Sequence, residues 1–186
     1  MNTTGKKISL LGVFTALGVA MAYAFITIPN VELVTTTVFI SGFVLGIREG
    51  FLVGLLTETI YSLFNPYGMA APPLFAAQVI SMGITGILGG VLGKYNYSSR
   101  RMYCLTFGLA GFLATLIFAI LTTLSFISFM GLSLQKLMGS LIYGLLFYAT
   151  HMISNTIIFM TIVPLLLKIL PKLINSYSPE TARELS

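Results

Sequence analysis

Hydrophobic positions in this chain come in six long runs, each closed by a short polar or turn-forming break. The first run is residues 8–28 and ends at Pro29-Asn30. The second and third, 33–47 and 50–64, are separated only by Arg48-Glu49. The fourth, about 74–92, follows Asn65-Pro66-Tyr67-Gly68 and Pro72-Pro73. The fifth is 103–127, and the sixth is 137–167 with Pro164 near its end. A polar tail occupies 172–186. About 20 apolar residues in helical form cross a hydrocarbon core of about 30 Å. The pattern therefore predicts an all-α polytopic membrane protein, a bundle of six transmembrane helices.

The second and third runs are short. About 15 helical residues reach only about 23 Å. A single span across both would be about 48 Å long with an Arg-Glu pair at its middle. Two short spans are the expected arrangement, with a re-entrant hairpin as the alternative.

Charge orients these runs. With the N-terminus inside, Lys6, Lys7, Arg48, Lys94, Arg100, Arg101, Lys168, Lys172 and Arg183 all fall on the cytoplasmic side, and only Lys136 falls outside. Positive charge resists translocation, so cytoplasmic loops collect it. Both termini are expected to be cytoplasmic. The hairpin alternative preserves the same asymmetry.

Composition adds limits. The chain has 186 residues, is 56% hydrophobic and only 8% charged. Soluble domains are typically about 25% charged. The whole of 1–186 reads as one integral membrane domain. The net charge of +5 lies in loops beside apolar spans. Anchoring to anionic lipid explains it better than nucleic-acid binding. Cys104 is the single cysteine, so no intrachain disulfide or Cys metal cluster is expected. The start resembles a signal peptide, with Lys6-Lys7, an apolar run and Ala20-Met21-Ala22. The run continues to Ile28, which suits a retained span.

Two ladders of small residues stand out. Gly12, Ala16, Ala20 and Ala24 are four apart and share one helix face. Such a face lets another helix approach closely, inside the bundle or from another protein. Gly42, Gly46, Gly50 and Gly54 flank the break between spans two and three, where close packing accounts for them. Gly86, Gly89, Gly90, Gly93 and Lys94 superficially resemble a phosphate loop. The pattern fails at Leu88 and Tyr95, so no nucleotide site is expected.

Polar side chains inside the spans are few. Glu58 sits near the middle of span three, with Tyr61 and Asn65 on the same face. A charge at that depth is costly unless it is protonated, paired or beside water, which makes it a functional candidate. Its bland alternative is a protonated strut. His151 lies midway along span six, with Asn155 one turn on and Tyr148 and Ser154 at three-residue offsets. A lone His without Cys or Asp is a poor metal site. Glu58 and His151 have similar depths and are candidates to face one cavity. The outer loops contribute Glu32, Thr35-Thr36-Thr37, Tyr67 and nearby Gln78, as expected for capture of a small solute from outside. The two carboxylates suit an amine or several donors, whereas Lys136 suits an anion.

These residues resemble a family. The stretches GVFTALGVAMAYAF, Ile-Pro-Asn, SGFVLGIREGFLVGLLTETIYSLFNPYG and HMISNTIIFMTIVPLLLKIL are similar to the substrate-binding S components of energy-coupling factor (ECF) transporters. The resemblance implies a subunit that binds a vitamin or other micronutrient beneath the loop between spans one and two. It implies docking to a membrane coupling subunit through the Ala16 and Ala20 face, flanked by Gly12 and Ala24, with two cytoplasmic ATPases supplying energy. It implies a prokaryotic plasma membrane, no resident cofactor and no catalysis. The expected solute site draws on Glu32, Glu58, Tyr61, Asn65, Tyr67, Gln78, His151 and Asn155. Competing functions are a membrane enzyme using Glu58 and His151, for which no nucleophile or metal set is visible, and a structural membrane scaffold.

Overall fold

A computed structural model describes residues 3–28, 30–95, 97, 99–131 and 133–176. It forms six helices in the order α1 (Thr3–Ala24), α2 (Val34–Leu45), α3 (Ile47–Leu63), α4 (Pro72–Leu92), α5 (Arg100–Met130) and α6 (Leu134–Ser176), with no strand among the described residues. Four contain stretches long and apolar enough to cross a membrane: Gly5–Ala24, Pro72–Leu92, Arg101–Phe129 and Leu134–Leu170. The other two are shorter, with 12 residues in α2 and 17 in α3.

Several boundaries differ from the sequence pattern. The break between the second and third helices is Gly46 rather than Arg48-Glu49, which lie in the first turn of α3. Gly46 has φ +112°, a left-handed conformation that side chains resist, so glycine is the residue that can turn the chain there. Helix α1 stops at Ala24, short of Ile28. Residues 25–28 turn instead, with Ile28 N donating to Phe25 O at 2.9 Å. The residue before a proline is disfavoured in a helix, and the β-branched Ile26-Thr27-Ile28 run adds to that. Helix α4 begins at Pro72, where a missing N–H costs nothing. Helix α6 has 43 residues, continues through Pro164 and takes in the first part of the expected polar tail. The rest of that tail, 177–186, lies outside the described residues.

Helix α4 is central and packs against α2, α3 and α5. Helix α6 packs along α5 and also reaches α2, while α1 lies on α2 and α3. The core is built on Phe39, Phe107 and Phe159, all fully buried, with ring centroids 5.8 Å (Phe39–Phe107) and 5.0 Å (Phe39–Phe159) apart. Glycine sets the spacing of α2, α3 and α4. A methyl group on Gly42 would overlap the Gly86 carbonyl, one on Gly86 would overlap the Gly50 carbonyl, and one on Gly89 would overlap the Phe39 carbonyl. The glycine run of α4 is therefore half of a packing seam whose other half is the ladder on α2 and α3. Large apolar side chains cover the outside of the bundle, among them Leu105, Leu109, Leu145 and Leu146. Such a surface suits hydrocarbon and not water.

Candidate functional site

The loop joining α1 to α2 is tied to α6. Ser154 Oγ donates to the Asn30 carbonyl at 2.5 Å, and Asn155 Nδ2 donates to Glu32 Oε1 at 3.1 Å. Glu32 sits just before α2 and accepts from the Thr35 backbone N–H at 2.8 Å and from the Thr35 hydroxyl. A carboxylate there satisfies an otherwise unpaired donor and lies at the positive end of the helix dipole. His151 Nε2 is 3.6 Å from Glu32 Oε1, too long for a hydrogen bond but within ion-pair reach. Burial pushes the Glu32 carboxyl up, but the His151 imidazole and the Thr35 donors outweigh it and hold it below its ordinary 4.5.

Under this loop lies a cavity of about 330 Å³. Its polar wall is Glu32, Glu58, Tyr61, Gln78 and His151. Its apolar wall includes Phe25, Met82, Phe118 and Phe147. Glu58, 4% exposed, accepts from Ser62 Oγ at 3.1 Å. An ionised carboxylate has about four acceptor sites, so one hydroxyl leaves most of its capacity to whatever fills the cavity. Gln78 Oε1 and His151 Nε2 are buried with no hydrogen-bond partner. Buried polar atoms in native structures are nearly always satisfied, and these two on one wall can both pair with a polar solute in the cavity. The His151 ring stands edge-on to Phe118, with centroids 5.9 Å apart.

Five of the eight expected site residues thus share one cavity, and Glu58 and His151 do line the same space. The other three do not line it. Asn155 is fully buried, where it bridges Glu32 and, at 2.9 Å, Thr115 Oγ1, so it positions the acid. Asn65 accepts from Tyr67 N at 2.9 Å and closes the turn after α3. Tyr67 is 76% exposed and stands away from the cavity. The aromatic wall went unrecognised in the sequence, because Phe25, Phe118 and Phe147 are ordinary residues in a chain so rich in phenylalanine. Among the described residues no group of three or more His, Cys, Asp or Glu gathers to hold a metal.

The small-residue ladder of α1 has a definite setting. Gly12, Ala16, Ala20 and Ala24 are all exposed. Gly12, Ala16 and Ala20 line a groove of about 520 Å³ between α1 and α3, closed by Leu11, Thr15, Val19, Leu56 and Ile60.

An all-helical, lipid-suited bundle with a part-polar cavity near one end defines a membrane protein with room for a small solute. Residues 6–174 match the family described as ECF transporter, substrate-specific component. The chain belongs to that family and is a multi-pass membrane protein and substrate-specific transport subunit. Such components are transport subunits rather than enzymes, and they work with a coupling subunit and ATPases. No curated protein and no solved structure matches the chain.

Proposed function

We propose that this protein captures a vitamin-sized micronutrient from outside the cell and delivers it inward as the S component of an ECF importer. The observation that carries this reading is the cavity beneath the α1–α2 loop, with two carboxylates and two buried polar atoms that have no hydrogen-bond partner on its wall. All six helices cross the membrane, both termini are cytoplasmic, and the cavity lies in the outer half. The charge split supports that orientation, since all Lys and Arg except Lys136 then fall inside. The short α2 and α3 cross with the help of local bilayer thinning and snorkelling flanks.

Energy comes from partners. The α1 groove lined by Gly12, Ala16 and Ala20 accepts a helix of the membrane coupling subunit, which two cytoplasmic ATPases drive. Family membership and the exposure of the whole ladder support this docking. Neither an enzymatic nor a scaffold role has a specific observation in its favour.

The test is mass spectrometry of small molecules released when gently purified protein is denatured. One micronutrient at near-stoichiometric amount is the expected result. Folded protein that never carries a solute, and whose cells take up none through it, counts against the reading.

A further inference from the structure

The cavity beneath the α1–α2 loop is unbalanced in charge and in hydrogen-bonding sense. Its titratable lining residues are Glu32, Glu58, Tyr61 and His151, and no lysine or arginine is among them. Glu32 and His151 answer each other, with Oε1 and Nε2 3.6 Å apart, and Glu32 also accepts from Thr35 and Asn155. Glu58 has no such match. Its donor among the described residues is Ser62 Oγ at 3.1 Å, one turn along the same helix. The elements around the cavity bring it Tyr61 with Tyr23 edge-on behind, Gln78 from α4, Phe118 from α5 and the already committed His151 from α6. Gln78 Oε1, an oxygen that can only accept, is buried on the same wall without a partner. Lys136, which the sequence offered to an anion, does not line this cavity.

We infer that this cavity selects a compact, flat organic cation that carries N–H donors, of the amidinium or protonated amino-heterocycle type, with Glu58 as the residue that reads its charge. Resting on the solute-binding reading above, this assigns the substrate class. A carboxylate accepts two parallel N–H bonds from a planar nitrogen cation, a geometry stronger and more specific than a single contact. Gln78 Oε1 takes a further donor. The remaining wall, with Phe25, Phe118, Phe147 and the Tyr61 ring, offers aromatic surface to a flat cation. An uncharged analogue of the same shape would leave the Glu58 carboxylate buried without a counter-charge, and an anion would meet it as a like charge. A quaternary ammonium would satisfy the charge but bring no donor to either oxygen. The volume of about 330 Å³ lies at the lower end of the range of about 300–1,000 Å³ for small-molecule sites, which limits the solute to a small one.

The test uses three probes of one shape and different charge: benzamidinium, benzamide and benzoate. Each is titrated by calorimetry into protein held in lipid nanodiscs, with empty nanodiscs as the blank. Benzamidinium should bind about tenfold or more tightly than benzamide, and benzoate should bind more weakly still. Glu58→Gln should remove the preference, bringing benzamidinium down to the level of benzamide and leaving benzamide unchanged. Gln78→Met, which keeps the length of the side chain and removes the amide oxygen, should weaken benzamidinium severalfold. Thermal unfolding checks that both variants are folded, and the comparison of probes in the wild-type protein needs no variant. Benzamide or benzoate binding as tightly as benzamidinium overturns the inference. So does a preference for benzamidinium that survives in Glu58→Gln, or failure of all three probes to bind. None of these results touches the S-component reading, because that rests on the released solute and on uptake. A released solute that is uncharged or anionic overturns the cation class alone.

Discussion

Glu32 and Glu58 are both carboxylates on one cavity wall, and their surroundings give them different work. Glu32 accepts from Thr35 and Asn155 and sits beside His151, so most of its capacity is used in holding the α1–α2 loop to α6. Among the described residues Glu58 accepts from Ser62 alone and has capacity left for a solute. Glu58→Gln should weaken solute binding by about 1.5–3 kcal/mol, the range for a hydrogen bond to a charged group, with little loss of stability. His151→Ala should weaken it similarly. Calorimetry with the released solute decides this, and unchanged affinity in both variants would return them to the role of struts. Asn155→Ala should behave differently. It strips Glu32 and Thr115 of a partner and should lower stability by about 1–3 kcal/mol as well as affinity. Glu32 also makes stability depend on pH. Its carboxyl is held below its ordinary 4.5 in the fold, so its contribution is complete above that value and is lost as pH falls through the lowered one. Acid unfolding curves of Glu32→Gln should lack that part of the loss, and curves parallel to wild type would contradict the assignment.

Two glycine-rich patterns on different helices are one structural feature. The ladder at Gly42, Gly50 and Gly54 packs against Gly86 and its neighbours on α4, backbone to backbone. Gly86→Ala should force α3 and α4 apart and destabilise by about 1–3 kcal/mol, measured by thermal unfolding in detergent. The ladder on α1 has the opposite property. A Cβ on Gly12 would meet nothing within 4 Å, and the face is open along the groove to Leu56 and Ile60. Ala16→Trp should therefore leave folding and solute binding intact while abolishing uptake with the full transporter, because it fills the groove proposed for a partner helix. Equal loss of binding and uptake would place that face inside the bundle's own machinery.

At the scale of the whole molecule, orientation and energy supply each have a direct measurement. In a Cys104→Ser background, thiols introduced at Met69 and Gly131 should react with an impermeant reagent added to intact cells, and one at Tyr95 should not. Labelling at Tyr95 from outside would reverse the topology. Proteoliposomes with this chain alone should bind solute and fail to accumulate it, since the glycine run before Lys94 is committed to helix packing and leaves no phosphate-binding loop. Accumulation against a gradient would end the S-component reading.

The sequence by itself determined what depends on solvent and on local backbone chemistry. Runs of apolar residues must be helices if they are to lie in hydrocarbon, because no water is there to pair the backbone. The six helices and the candidacy of Glu58 and His151 were legible for that reason, and the family through the resemblance of whole stretches of sequence. The break at Gly46 was not, because Arg48-Glu49 is the more polar pair, and only backbone geometry shows that the chain turns at the glycine. Tertiary structure alone decided which polar groups meet. It paired Glu32 with Asn155 across 123 positions of sequence, drew Asn155 out of the cavity wall and left Asn65 and Tyr67 outside it. It also brought Phe118 and Phe147 to the cavity's apolar wall. Hydrophobicity fixes how deep a residue sits, but which side chains face each other is set by helix rotation and packing, and those are settled by contacts among residues far apart in the chain.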